Sequence, residues 1–352
     1  MKNTFKKIQC VFVLGIAMLA LAGCGSDKIG ENTKLGMDAV EQLKYEEALT
    51  YFQAATEAQE NVVYIQRGMG LAYMGQTDYE QALLCFQAAL AGGGTKPADI
   101  DYDINYYMAV CYFKLERYEE ALSRYDAILS LKDKEVDAYV QRGIIKLKLN
   151  RHDEAVADFD AALALDKNDY SLYVDIYSAL KDNGYESEGI EYLNIAVESG
   201  DDKMSSYDKG RLYFYLGNYT NARNCFEHAR SEGNKTEEVI LLLGQSYEEL
   251  NDRSYALTLY SEYVATNPSA AIYNQMGLCY AAMEDYSNAL LSFETGLSVE
   301  GNAYKQELSY NRIVAYENLG DFESAKKYMK EYLNAYPDDE RAQREYEFLQ
   351  TR

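Results

Sequence analysis

From residue 29 onward, apolar residues return at i, i+3, i+4 and i+7, the spacing that lines one face of an α-helix. The pattern also repeats at a longer range. "YEEALTYFQAA" at 45–55 comes back as "YEQALLCFQAA" at 79–89, "YEEALSRYDAI" at 118–128 and "YTNARNCFEHA" at 219–229. Aligned on one small residue, the copies fall at Ala48, Ala82, Ala121, Ala155, Gly189, Ala222, Ala256, Ala289 and Ala325, with gaps of 34, 39, 34, 34, 33, 34, 33 and 36. Twelve positions before most of these lies a second small residue, at Gly36, Gly70, Ala109, Gly143, Gly210, Gly244 and Gly277. Four positions after the aligned residue stands an aromatic, as in Phe52, Phe86, Tyr125, Phe159, Phe226, Tyr260 and Phe293. These spacings predict helix pairs, each crossing where backbones approach and so demanding Gly or Ala. One pair cannot bury its apolar face alone, so neighbours must stack.

A period near 34 with this arrangement resembles the tetratricopeptide repeat, most clearly in "LLLGQSYEEL" (241–250) and "NQMGLCYAAM" (274–283), with Pro268 and Pro337 closing their repeats. The resemblance implies an all-α, right-handed superhelical solenoid of about nine helix-turn-helix repeats over 29–339, with 340–352 as a capping helix. Tyr346, Phe348 and Leu349 are available for one face of that cap. It also implies a concave groove lined by the first helix of each repeat. The matching positions offer Tyr64, Arg67, Tyr106 and Phe113 in repeats 2 and 3, and Tyr207, Arg211, Phe214 and Tyr215 in repeat 6. Tyr and Arg are preferred anchors of binding surfaces; the alternative is scattered surface aromatics in a chain with 35 Tyr. The Lys and Asn clamp by which members of this family hold chaperone tails has no counterpart, since its slots hold residues such as Thr33 and Met37, or Arg67 and Leu71. Repeat 5 departs from the pattern, with Tyr177 and Gly189 at its crossing, and repeat 9 has Ile313 and Met329.

The beginning of the chain reads differently. Lys2, Lys6 and Lys7 precede an apolar run from Ile8 to Leu21, then Ala22, Gly23 and Cys24. That is the build of a secretory signal, and the run is short of the ~20 residues a membrane span requires. "LAGC" at 21–24 resembles the bacterial lipobox, which implies cleavage before Cys24 and lipid on its thiol. The expected organisation is a signal peptide at 1–23, a lipidated N-terminus and tether at 24–28, and a chain held at the extracytoplasmic face of a cell membrane.

A net charge of −23 argues against a nucleic-acid partner, which requires clustered Lys and Arg. Candidate chemistry is sparse. His152, expected in a turn, and His228 belong to no catalytic or metal motif. "GGGTK" lacks the ending of a phosphate loop. "DIDYDIN" (99–105) approaches a calcium loop, but Ile104 and Val110 occupy its Gly and Glu slots, and it reads as a loop with a helix N-cap. Cys85, Cys111, Cys225 and Cys279 fall on apolar helical positions and read as packed free thiols, with an 85–111 disulfide as the alternative. No cofactor and no catalysis are expected. The favoured function is a protein-protein interaction scaffold or peptide-binding adaptor. The alternatives are a cell-wall fragment or glycan binder using groove tyrosines, and a self-associating structural array.

Overall fold

The computed structural model describes residues 29–94, 98–199 and 204–352. The signal segment and Cys24 lie outside these residues. Among the described residues there are 19 α-helices and no strand. Nine consecutive helix pairs run from α1 (Glu31–Glu41) and α2 (Tyr45–Glu57) to α17 (Lys305–Asn318) and α18 (Phe322–Ala335), and α19 (Glu340–Leu349) follows. The fold is an all-α repeat solenoid. The chain divides within α10 (Glu186–Glu198): residues through Tyr192 form one unit and Leu193–Arg352 the other.

Every pair turns in the same way. Leu43, Thr77, Glu116, Asn150, Gly184, Gly217, Asn251, Glu284 and Gly320 each lie five positions before the aligned small residue, and each has positive φ. The following residue donates its N–H to a carbonyl five positions back, as Asp78 does to Tyr73 and Asp252 to Tyr247, both closely. This is a Schellman closure, which satisfies carbonyls left open at the end of the first helix. Asp78, Asn218, Asp252, Asp285 and Asp321 then cap the second helix through their side chains.

The crossing is built from a ring on a glycine, and this corrects the expectation of two backbones in contact. A Cβ at Gly36 would lie 2.5 Å from the Phe52 ring, at Gly70 2.4 Å from Phe86, and at Gly244 2.2 Å from Tyr260. The missing side chain is the seat of the aromatic sixteen residues later, and those rings are fully buried. In repeat 9 the exchange is by volume: Ile313 and Met329 take the two places, and both have no exposed surface. Repeat 5 inverts the arrangement, because Gly189 on α10 lies against α9 (Tyr170–Asp182), its Cβ position 3.1 Å from the Tyr177 Cα.

Several local expectations are corrected. "DIDYDIN" is helical, forming the first turns of α5 (Asp99–Lys114). Its acids suit a helix N-terminus; Asp101 accepts the Ala98 N–H at 2.8 Å, and Ile104 is driven into the core. α4 (Tyr79–Gly92) also extends through the first glycine of "GGGTK", so the inserted residues are partly absorbed into helix. His152 is the first residue of α8 (His152–Leu165) and not part of the turn. In α19, Leu349 and Ala342 are buried against α17 and α18 and Tyr346 packs beside them, but Phe348 is exposed. Cys85, Cys111 and Cys279 are buried free thiols, whereas Cys225 is only half-buried. Burial pushes the Cys85 thiol up to about 11 and those of Cys111 and Cys279 up to about 12, so all three remain protonated.

Tyrosine ties successive repeats together. Tyr247 on α13 (Glu237–Glu249) donates to Glu227 on α12 (Tyr219–Ser231) at 2.9 Å. Tyr316 on α17 donates to Glu294 on α16 (Tyr286–Leu297) at 2.9 Å, and Tyr192 on α10 to Asp160 on α8 at the same distance. In each case a hydroxyl meets a carboxylate of the preceding second helix, adding a polar link to the apolar packing between repeats.

Candidate functional site

In the first unit the expected residues lie on α3 (Val62–Gly75) and α5, all half-buried. Arg67 reaches from α3 to α5, where its Nε donates to Asp103 Oδ2 at 3.1 Å and its guanidinium lies 5.5 Å from the Tyr107 ring centroid. Tyr107 in turn stacks on Phe86, centroids 5.7 Å apart. Tyr106 meets Tyr125 edge-on at 5.8 Å, and burial holds its hydroxyl well above the usual phenol range. Phe113, near the other end of α5, meets Tyr118 edge-on at 5.6 Å. Thus Arg67 is joined to Asp103 and Tyr107, neither of which the repeat pattern singles out. Tyr64 lies one turn before Arg67 on α3.

In the second unit the four residues occupy α11 (Ser206–Tyr215). The Arg211 guanidinium lies 5.5 Å from the Tyr207 centroid, with its Nε 3.5 Å from Glu238 Oε1 on α13. The Arg211–Glu238 contact is an ion pair whose alignment is not that of a hydrogen bond, since Arg211 Nε is buried and makes none. Burial first and the Glu238 carboxylate second hold the Tyr207 phenol above its usual range, so it stays protonated. Tyr207, Arg211 and Glu238 therefore form one bridge between consecutive first helices. Phe214 lies between Tyr215 and Tyr219, at centroid distances of 5.6 and 5.5 Å. Tyr207 and Phe214 also pack against the buried cluster around Phe226 and Leu243, so both are partly structural.

Both patches place aromatic and cationic side chains on the first helices, where the groups remain half-exposed. Among the described residues no group of three or more His, Cys, Asp or Glu could hold a metal ion. No described helix is long and apolar enough to cross a membrane.

Models of the tetratricopeptide repeat match residues 33–92, 67–136, 108–170 and 207–271, and further models of the same repeat match 270–302 and 307–339. The chain belongs to the tetratricopeptide repeat family. Among solved structures, a tetratricopeptide repeat protein from Parabacteroides merdae is 18% identical, with 81% of this chain and 99% of that one covered and a TM-score of 0.48. MamA from Desulfovibrio magneticus, as its segment 41-end, is 18% identical over 50% of this chain and all of that one, with a TM-score of 0.41. The human IFIT1 dimer with PPP-AAAA is 14% identical over 93% and 91%, with a TM-score of 0.44. Comparison with curated protein sequences returns no match. For this tetratricopeptide array the repeat models carry the assignment, and the binding surface has to be read from the chain itself.

Proposed function

We propose that this tetratricopeptide protein is a membrane-anchored, extracytoplasmic lipoprotein that serves as a protein-protein interaction scaffold or peptide-binding adaptor. The family assignment supports the general role, since tetratricopeptide folds bind proteins and peptides and are generally non-catalytic. The observation that carries the binding reading is the pair of half-exposed aromatic and arginine patches, on α3 and α5 in one unit and on α11 in the other. Such side chains supply large contact area at low entropic cost. "LAGC" at 21–24, behind a basic start and an apolar run, supports the anchor. Two or more acyl chains give stable attachment where one is marginal, each buried CH₂ contributing about 0.8 kcal/mol.

Two measurements test this. Labelled palmitate is expected on the wild-type chain and absent from Cys24→Ser, which should accumulate as an unprocessed precursor; label on the variant refutes the lipid assignment. Separately, capture from envelope extract is expected to return defined protein partners that are lost on Arg211→Ala. Retention of glycan with no protein would replace the adaptor reading.

A further inference from the structure

The repeat period is broken most at one place: 39 residues separate Ala82 from Ala121, against 33–36 between all other neighbouring copies. Part of the surplus lengthens α5, which begins ten positions before Ala109, whereas α7 (Val136–Lys148) and α13 begin seven before Gly143 and Gly244. At 16 residues α5 is the longest of the described helices. Its added first turn stands beside the ends of α4 and α6 (Tyr118–Leu131), and together they enclose a cavity of about 250 Å³ in the first unit.

Leu90 from α4, Ile128 and Leu131 from α6 and the Tyr102 ring from α5 form its apolar lining. Leu131 is 60% exposed, so the wall it makes is left uncovered on the solvent side. The Lys132 ammonium steadies the Tyr102 ring from 4.0 Å and lies 3.9 Å from both Asp99 and Glu135. Asn105 and Asp101 supply the polar end. Asn105 is fixed by two bonds: its Nδ2 donates to the Asp101 carbonyl at 2.7 Å, and its Oδ1 accepts from Arg124 Nη1 at 3.3 Å. Asp101 is the one charged side chain among the described lining residues. Its Oδ2 accepts the Ala98 N–H at 2.8 Å, while among the described residues its Oδ1 accepts no hydrogen bond and the carboxylate joins no ion pair. The neighbouring cations, Lys132 and Arg124, are engaged elsewhere.

An apolar cavity that ends on an unpaired carboxylate is suited to an organic cation. We propose that it binds a small primary amine with a cyclic or branched apolar body, the ammonium against Asp101 Oδ1 and the body among Leu90, Tyr102, Ile128 and Leu131. A cavity of about 150 Å³ holds benzene, so this one has room for one ring and a short arm, and drug-sized ligands need more. The slender stem of a lysine side chain would leave much of the apolar lining uncovered. The site lies outside the adaptor reading, since none of its residues belongs to the aromatic and arginine patches, and either can fail without the other.

Titration calorimetry on the full chain compares phenethylamine with its neutral and anionic counterparts, phenethyl alcohol and hydrocinnamate. The amine is expected to bind at a single site with a millimolar or tighter Kd. The alcohol should bind at least about threefold more weakly, since a half-exposed charge pair contributes modestly, and the anion not measurably. In Asp101→Asn, which keeps an acceptor for the Ala98 N–H, amine and alcohol should bind alike. In Leu131→Ala, a change at an exposed position, both should weaken by at least about threefold. The comparison of the three ligands on the wild-type chain decides the matter even if a variant is unstable. A wild-type chain that takes no amine, or takes amine and alcohol equally, overturns the proposal. So does a preference for the amine that persists in folded Asp101→Asn, or amine binding at wild-type strength in folded Leu131→Ala.

Discussion

Six of the nine turns within pairs hold a residue with a side chain at positive φ, and Thr77 at 63° is β-branched, the least suited of them. Left-handed backbone costs a residue other than glycine about 1–2 kcal/mol, and added chain entropy in the unfolded state offsets about 0.5–1 kcal/mol of what glycine would recover. Thr77→Gly is therefore expected to stabilise the chain by about 0.5–1 kcal/mol, read as a rise in the denaturant midpoint. An unchanged or lowered midpoint would show that the Thr77 side chain contributes more than its backbone costs. At the crossings the sign reverses. Gly244→Ala puts a methyl 2.2 Å from the Tyr260 ring, and overpacking of this kind typically costs 1–3 kcal/mol. The Tyr260 hydroxyl, bonded to Glu248 at 2.7 Å, keeps that ring from moving aside freely. Thermal melting of Gly244→Ala should show the loss, and a melting temperature equal to wild type would mean the seat is soft.

Between elements, the contact of α8 with α10 has a usable pH dependence. His152 Nδ1 lies 3.1 Å from Asp153 and its Nε2 2.6 Å from Glu188, while its ring packs 4.2 Å from that of Tyr185. The hydrogen bond to Asp153 and then that to Glu188 raise the imidazole above its ordinary value, against partial burial. A raised histidine stabilises the fold fully below its unfolded pKa of about 6.5, and that contribution fades as pH rises through the folded value. The gap in melting temperature between wild type and His152→Gln should thus be wide at pH 6 and narrow at pH 8. A gap that does not change with pH would reduce the contact to packing. The element pattern was legible before any coordinates because glycine, alanine and aromatic recur at fixed intervals, and repetition averages out local ambiguity. The turns were not: Leu43, Glu116 and Glu284 carry no local signal for positive φ, and only the closure imposed by the following helix places them there. "DIDYDIN" misled for a related reason, since clustered acids suit both a cation loop and a helix start, and burial of Ile104 decides between them.

At the scale of the whole molecule, repeat arrays couple mainly through neighbours, so damage in one repeat should stay near it. The candidate patches were legible only in part. First-helix spacing marks Tyr207 and Arg211, but Glu238, which joins them, comes from the next repeat and has no fixed place in the sequence pattern. The structure also shows that Tyr207 and Phe214 lean on the unit 2 core, which changes what their removal must do. In Tyr207→Ala, Phe214→Ala, partner capture is expected to be lost, because hot-spot anchors contribute about 2 kcal/mol or more each when desolvated. Packing is lost as well, since truncating a largely buried aromatic costs about 3–5 kcal/mol and a half-buried one less. Hydrogen exchange should accordingly show weaker protection in α11–α14 and unchanged protection in α1–α4. Arg211→Lys separates the two effects: it keeps the charge and most of the stem but loses the planar group over Tyr207. That variant should hold its melting temperature near wild type and still weaken capture. Capture at full strength in Arg211→Lys, together with loss in the double variant, would mean that α11 supports the fold and that the partner is held elsewhere.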